Sequence, residues 1–374
     1  MDVGGTTLRV GSYAVADGRL TDVRRTPVEG MARHPGDPVP LLQRRVVDQI
    51  AEAVAARPGP PGGPLAVGIA FAGPTTADGL VLGAPTVWGR GGEPLPLGPV
   101  LQERLGRPVV VVNDITAAAW RYAATEPEPF CLLTVSSGIG AKVFRHGEVL
   151  LSPRGHGGEL GHWRCDPAPD APPCDCGGRG HLGGIASGRG ALAAARRAVE
   201  HDPAGFAGSL LGRLCQGRPE RLDNPALAAA VRAGDPFATG VLRDGLRHLA
   251  GAVTAVFTAI GVTRYIVIGG FALAVGPRYA ELLTEELRRL GCFGLTEEEI
   301  GRMVTLGHPD DDHGLLGVGA LLGRVLDGPA RPAPAAPGGP GRPDRPARRD
   351  RPGRAGGRTL PVTARPGDRA GEDR

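Results

Sequence analysis

Long hydrophobic runs are missing from this sequence of 374 residues. A membrane-spanning helix needs about eighteen consecutive apolar residues, and no stretch comes near that length. The chain also opens with Met1, Asp2, a valine and two glycines, where a secretory signal peptide has a basic and apolar leader. Both absences predict a cytoplasmic protein without a membrane partner.

A strong excess of either charge is missing as well. Lysine and arginine number 43 against 39 aspartates and glutamates, and many of the arginines follow Leu326. The formal net charge of +4 therefore gives no reason to expect a nucleic-acid partner. Of the six cysteines, Cys174 and Cys176 stand close together beside histidines, which in a reducing compartment suits a metal site better than a disulfide.

The sequence does contain enough apolar residues, 41%, for two medium domains with cores of their own. Its first part alternates between strand and helix patterns, and the part after it is richer in helix patterns, so we predict an α/β protein. The predicted strands are Leu8–Val15, Leu65–Phe71, Val109–Val112, Phe130–Val135, Ala141–Arg145 and Tyr265–Ile268. The predicted helices are Leu41–Ala56, Ala117–Ala124, Ala191–Glu200, Pro225–Ala233 and Pro236–Ile260.

The end of the chain has a different composition. Residues 328–374 consist mainly of proline, glycine, alanine and arginine, with almost nothing to bury. Such a segment cannot offset its ordering entropy, so we predict a disordered tail. A weak attraction of this tail to anionic surfaces is the alternative reading.

Three glycine-rich turns follow or separate apparent strands: Asp2–Arg9, Thr134–Gly140 and Val267–Gly270. Backbone amides and hydroxyls in such turns can approach phosphate oxygens, and the carboxylate of Asp2 can hold Mg²⁺ directly or through water. Each turn taken singly also fits a simple hairpin. A buried strand normally precedes a turn of this kind, so we expect the native chain to carry a few more apolar residues ahead of Met1.

Asn113 and Asp114 follow the valine run of a buried strand and precede an alanine-rich helix. Ligands bind at such strand ends, and phosphoryl transfer needs a group that orients the attacking hydroxyl and takes its proton. Asp114 is the candidate general base. The alternative is that either residue merely caps the helix.

The order and spacing of these motifs resemble the ROK family of bacterial sugar kinases and related repressors, over roughly Asp2–Leu326. The resemblance implies a duplicated ribonuclease-H-like (actin/hexokinase-like ATPase) fold with two domains and an active-site cleft between them. It implies a smaller domain of residues 1–113 with 313–327, a larger domain of 114–312 that includes a zinc loop at 156–183, and a homodimer or homotetramer. It also implies ATP and Mg²⁺ as cofactors, bound by Asp2, Gly4, Gly5, Thr6, Thr7, Ser136, Ser137, Gly138, Gly269 and Gly270.

A candidate zinc site lies in the loop at 156–183. Two thiols and two imidazoles, from His162, Cys174, Cys176 and His181, fall within twenty residues and make a sound tetrahedral set. In the family a cysteine normally stands where His181 is. Four protein ligands leave no open position, so the zinc is expected to be structural, and a metal-free loop is the alternative.

Substrate contacts are carried over from the same resemblance. Asn113, Asp114, Glu159 and His162 match the family residues that contact the sugar. Thr86, also a predicted substrate contact, stands where an asparagine is usual, and Gly183 stands where a glutamate contacts the sugar near its anomeric end.

Because a site that has lost hydroxyl-recognition groups usually serves a different acceptor, we predict a kinase for a cyclitol or modified sugar, acting on its primary hydroxyl. An ordinary glucokinase or amino-sugar kinase is the nearest alternative. A non-catalytic sugar-sensing regulator is disfavoured, since Asp2, Asn113 and Asp114 are retained and no DNA-binding domain precedes the first turn.

Overall fold

Two five-stranded sheets organise the part of the chain that a computed structural model describes, residues 1–57 and 66–326. The first sheet has the order β3-β2-β1-β4-β5 and consists of β1 (Asp2–Val3), β2 (Thr7–Ala14), β3 (Arg19–Pro27), β4 (Val67–Phe71) and β5 (Val109–Asn113). The second has the order β8-β7-β6-β9-β10 and consists of β6 (Phe130–Val135), β7 (Ile139–Arg145), β8 (Glu148–Val149), β9 (Arg264–Ile268) and β10 (Val304–Leu306). The predicted tail at 328–374 lies outside the described residues.

The two sheets repeat one topology. In each, the first three strands form an antiparallel meander, and the fourth and fifth strands are added in parallel on the other side of the first. Each first hairpin therefore presents its turn at the same edge of its sheet as the carboxyl end of the fourth strand. The duplicated α/β fold that the sequence predicts is confirmed.

Thirteen α-helices are found among the described residues, and none of them is long and apolar enough to cross a bilayer. They are α1 (Val39–Ala55), α2 (Leu97–Leu105), α3 (Asp114–Tyr122), α4 (Leu182–Ala186), α5 (Gly188–His201), α6 (Pro203–Gly208), α7 (Leu210–Leu214), α8 (Asn224–Arg232), α9 (Pro236–Ile260), α10 (Gly270–Val275), α11 (Pro277–Leu290), α12 (Glu297–Gly301) and α13 (His313–Leu326). The longest, α9, has the predicted bounds because both ends are encoded locally. The Asp235 carboxylate accepts from the Ala238 amide at 2.8 Å, and Gly261 ends the helix at φ 72°.

Apolar side chains collect in three main cores. One lies on the first sheet under α1 and α2, and includes Trp88 and Phe71. A second joins the second sheet to the helices of the larger half, and the third lies between that sheet and α3. Each sheet therefore has an apolar core of its own, as expected of a chain with 41% apolar residues. The domain boundaries at 113/114 and 312/313 stay predictions from the resemblance.

Helices α3 and α13 follow the fifth strands of the two sheets and pack against each other. Their contact is close at Gly317, where an added Cβ would lie 1.7 Å from the carbonyl oxygen of Ala117. Such a separation is far inside van der Waals contact, so only glycine allows this crossing. The position of α3, and hence of its first residue Asp114, depends on it.

Replacing Gly317 by alanine is expected to destabilise the protein by about 1–3 kcal/mol, because the two helices must move apart. The matched control is Gly240→Ala on α9, where an added Cβ would meet nothing within 4 Å. Removing a flexible glycine from an exposed helix position should stabilise by up to about 1 kcal/mol. Urea denaturation measures both; equal effects at the two positions would contradict the close crossing.

Candidate active site

The first two glycine-rich turns are the equivalent hairpin turns of the two sheets. In the first, the Gly4 amide donates to the Thr7 carbonyl at 3.0 Å, and an added Cβ on Gly5 would lie 2.7 Å from the carbonyl oxygen of Thr86. In the second, the Ser136 amide donates to the Gly138 carbonyl at 3.0 Å. Both turns leave amides and hydroxyls available to an anion.

The third turn lies directly against the second. Gly269 has φ 99°, and an added Cβ there would lie 2.6 Å from the Val135 carbonyl oxygen. A residue with a side chain would therefore be both strained and obstructed. This glycine brings the carboxyl end of β9 beside the turn between β6 and β7.

The three turns meet at one cavity of about 780 Å³. Asp2, Gly4, Ser136, Ser137, Gly138, Gly269, Gly270 and Asp114 are among its lining residues. Three further residues of the first turn, Gly5, Thr6 and Thr7, are not among the described residues that line this cavity. The sequence motifs thus converge, although they are far apart along the chain.

Asn113 caps α3, which is the alternative role that the sequence allowed for this residue. Its side-chain oxygen accepts from the amides of Ile115 at 3.1 Å and Thr116 at 3.2 Å, while its amide nitrogen donates to the Gly73 carbonyl at 3.2 Å and to Asp114 Oδ1 at 2.8 Å. Asp114 Oδ1 also accepts from the Ile115 amide, at 2.9 Å, and Asp114 lines the larger cavity.

The carboxylate of Asp114 is a weaker acid than usual. Burial, and next the charge of Asp2, raise its pKa to about 6, against the opposing effects of the Ile115 amide, the charge of Lys142 and the Asn113 side chain. Burial also raises the pKa of Asp2, although the nearby Arg9 guanidinium, 3.4 Å away, lowers it. A carboxylate with a pKa near neutrality is suited to accept a proton.

A second cavity, of about 560 Å³, adjoins the first and shares Ile115 and Gly140 with it. Asn113, Glu159 and His162, three of the predicted substrate contacts, line it. Thr86 is not among the described residues that line it, although its neighbour Pro85 is. Thr86 lies instead against Gly5, so the structure brings it to the first turn.

Gly183 lies on α4, and it is not among the described residues that line this cavity. An added Cβ there would be 3.0 Å from the carbonyl oxygen of Gly161, which is tighter than an ordinary contact. A larger residue at 183 would therefore require the segment around Gly161 to shift.

The four predicted metal ligands are brought together. One ligand atom from each of His162, Cys174, Cys176 and His181 lies within 4.8 Å of the others. The Cys176 Sγ to His181 Nδ1 distance is 3.1 Å, and the Cys174 Sγ to His162 Nδ1 distance is 3.9 Å. Ligands of a tetrahedral zinc ion are about 3.3–3.8 Å apart. The two thiols and two imidazoles are a donor set that fits this metal, and small side-chain shifts would bring their spacing into that range.

Several charged residues of the two cavities escaped the sequence reasoning. Arg9 pairs with Asp2 and with Asp311, whose Oδ2 is 3.3 Å from the guanidinium, and Asp311 and His313 line the larger cavity. Lys142 lines the smaller one. The carboxylates and histidine at the start of the apolar α13 are a signal in the sequence, since Asn113 and Asp114 stand at the same place at the start of α3.

Comparison with known proteins matches residues 1–324 to the family model described as "ROK family". A C(7)-cyclitol 7-kinase of Streptomyces hygroscopicus subsp. jinggangensis is 55% identical over 330 residues, which are 88% of this chain and 94% of that protein. A 2-epi-5-epi-valiolone 7-kinase of Actinoplanes sp. is 31% identical over 312 residues, 80% of this chain and 84% of that protein. Among solved structures, a ROK family glucokinase from Streptomyces griseus in complex with glucose and AMPPNP superposes with a TM-score of 0.66 at 26% identity, covering 86% of this chain and 97% of that one.

Proposed function

The chain belongs to the ROK family, and we propose that it is an ATP-dependent kinase that phosphorylates the exocyclic primary hydroxyl of a C7-cyclitol. The observation that carries the proposal is the position of Asp114 on the wall of the larger cavity, between residues 113 and 115 that line the smaller one. A group at this boundary can take a proton from an acceptor hydroxyl in one cavity while the phosphate lies in the other.

The larger cavity suits the nucleotide. The amides and hydroxyls of the turn at Ser136–Gly138 and the first turn at Gly4 would hold the phosphates, and Gly269 and Gly270 would lie beside the adenosine. Mg²⁺ enters with ATP as part of the substrate. The buried carboxylate of Asp2 is the kind of hard oxygen ligand that this ion prefers, and a cation there would relieve its repulsion of Asp114.

Asp114 is proposed as the general base. With the acceptor hydroxyl within hydrogen-bond reach, the ionised carboxylate accepts its proton as the oxygen attacks the terminal phosphorus. The hydrogen bonds from Asn113 and from the Ile115 amide fix one carboxylate oxygen, so the other is left for the hydroxyl. The proton moves to Asp114. The bond between the terminal phosphorus and the oxygen that bridges to the β-phosphate breaks, and ADP leaves with that oxygen.

Acceptor recognition is assigned to the smaller cavity. Glu159 and His162 offer hydrogen-bond partners to ring hydroxyls, while the glutamate usual at position 183 is replaced by glycine. A cyclitol has no ring oxygen and no anomeric centre, so it does not need that contact. The homo-oligomeric assembly stays a prediction from the sequence.

A structural zinc ion is proposed at His162, Cys174, Cys176 and His181. These four residues would hold the ion, which would anchor the loop, and His162 would serve both as ligand and as part of the wall of the smaller cavity. Glu159 lies in the same loop, three residues before His162.

The proposal is tested with purified protein, Mg-ATP and a panel of 2-epi-5-epi-valiolone and its reduced forms, glucose, mannose and N-acetylmannosamine. We expect turnover of the C7-cyclitols, with phosphate on the exocyclic carbon, at a kcat/KM about a hundredfold above that for glucose. Product mass and ADP release are measured together. Efficient phosphorylation of glucose with weak cyclitol turnover would instead favour a hexokinase-type enzyme.

Removing the metal with a zinc chelator should raise the KM for the acceptor by at least about tenfold and lower the melting temperature, because the loop loses its anchor. Metal analysis should find about one zinc per chain. Cys176→Ser should lower that content, whereas Cys215→Ala, at a buried thiol of the helical core, should not. A zinc-free protein with unchanged acceptor KM and melting temperature would refute the site.

A further inference from the structure

Lys142 is the one lysine among the 43 lysine and arginine residues of the chain. It lies on β7, and its side chain is only 4% exposed. A compact ammonium on an unbranched stem fits a narrow site that a planar guanidinium does not, and the two are not interchangeable there. Every other lysine or arginine position of the chain is an arginine, and the single lysine lies on the wall of the smaller cavity. This contrast suggests that the site requires a lysine.

The ammonium of Lys142 has two partners. It donates to the Gly157 carbonyl oxygen at 2.6 Å and to Glu159 Oε1 at 3.0 Å. An ammonium group has three hydrogens, and no third partner is found within residues 1–57 and 66–326. The remaining hydrogen belongs to a residue that lines the cavity together with Asn113, Glu159 and His162.

These two partners belong to a glycine strap, residues 157–162, that lies directly on β7. An added Cβ on Gly158, which has φ 73°, would be 2.1 Å from the Ala141 carbonyl oxygen, and one on Gly161 would be 2.0 Å from that of Ile139. The backbone of the strap is therefore held by close contact, but the side chain of Glu159 is 58% exposed. Lys142 is the group that fixes its direction.

We propose that Lys142 determines acceptor specificity: its ammonium holds the carboxylate of Glu159 and donates its third hydrogen to an oxygen of the acceptor. The inference rests on the proposed function. A hydroxyl or carbonyl oxygen at that place on the acceptor is bound, whereas a protonated amine is rejected, because an ammonium has no lone pair to accept the hydrogen.

Lys142→Met tests the proposal, since it keeps the stem and removes the charge, and the half-exposed Glu159 can then be hydrated. The KM for the cyclitol should rise by at least about tenfold while the KM for ATP stays within about twofold. Glu159→Gln should raise the same KM, and the double variant should add little, because the two residues act together. Arg145→Met, at an exposed position on the same strand, is the control and should change neither constant.

A second readout does not depend on turnover. Lysine labelled with ¹³C and ¹⁵N gives one side-chain signal in this chain, and its ammonium should exchange hydrogen slowly in the wild type and faster in Glu159→Gln. Adding 2-epi-5-epi-valiolone should shift the signal.

The outcomes separate the two proposals. If the wild type phosphorylates cyclitols but Lys142→Met has an unchanged acceptor KM, the role of Lys142 is refuted and the proposed function stands. If the wild type phosphorylates no compound of the panel, the proposed function fails. The role of Lys142 is then decided by the labelled signal, and a signal that neither Glu159→Gln nor any panel compound changes overturns it.

Discussion

The burial of one carboxylate, that of Asp114, is the constraint on which the rest of the site depends. Burial and the charge of Asp2 both oppose ionisation, and they are offset in part by the Ile115 amide, the charge of Lys142 and the Asn113 side chain. The result is a carboxylate with a pKa of about 6, held at the start of α3, where it is proposed to act as the base. The location of Asp114 in turn depends on the duplicated fold, because α3, which begins at Asp114, is positioned by its close crossing with α13 at Gly317.

Glycine recurs wherever two backbones must touch in this site. Gly269 lets the third turn approach the second, while Gly158 and Gly161 let the strap lie on β7. These close contacts set the shape of the two cavities, and charged side chains such as Asp114 and Lys142 line them. At the smaller cavity a buried lysine on β7 contacts a loop that carries a half-exposed glutamate and the four-residue His/Cys cluster. Under the proposed function, acceptor recognition and local folding would therefore be coupled there.

Much of the fold was predictable because its signals are local. The apolar runs of β5 and β6, the capped helix α9 and the glycine turns follow from periodicity, turn chemistry and end signals. The edge strand β3 was missed, since its residues are mostly exposed and polar. Helix α11 was missed although its apolar and charged residues alternate at helical spacing, and the two-residue β1 is too short to give a pattern.

The site was predicted in part, for the same reason. Asp114, Asn113 and the predicted metal ligands stand in compact motifs, and the structure brings each to a cavity or a cluster. Arg9 pairs with Asp311 and Lys142 pairs with Glu159, and no local pattern in the sequence encodes those pairs. Thr86 was predicted from the order of the motifs to contact the substrate, but it lies against Gly5 of the first turn and is not among the described residues that line the smaller cavity.

The most direct test of the account is kcat/KM for the acceptor against pH, in the wild type and in Asp114→Asn, with the Kd for ATP measured alongside. The wild type should lose activity as the pH falls through about 6, because the base must be ionised to accept a proton. The variant should lose at least about a hundredfold in turnover, without that acidic limb, while binding ATP within about twofold of the wild type. Near-normal turnover of Asp114→Asn, or an acidic limb that persists unchanged in it, would contradict the account.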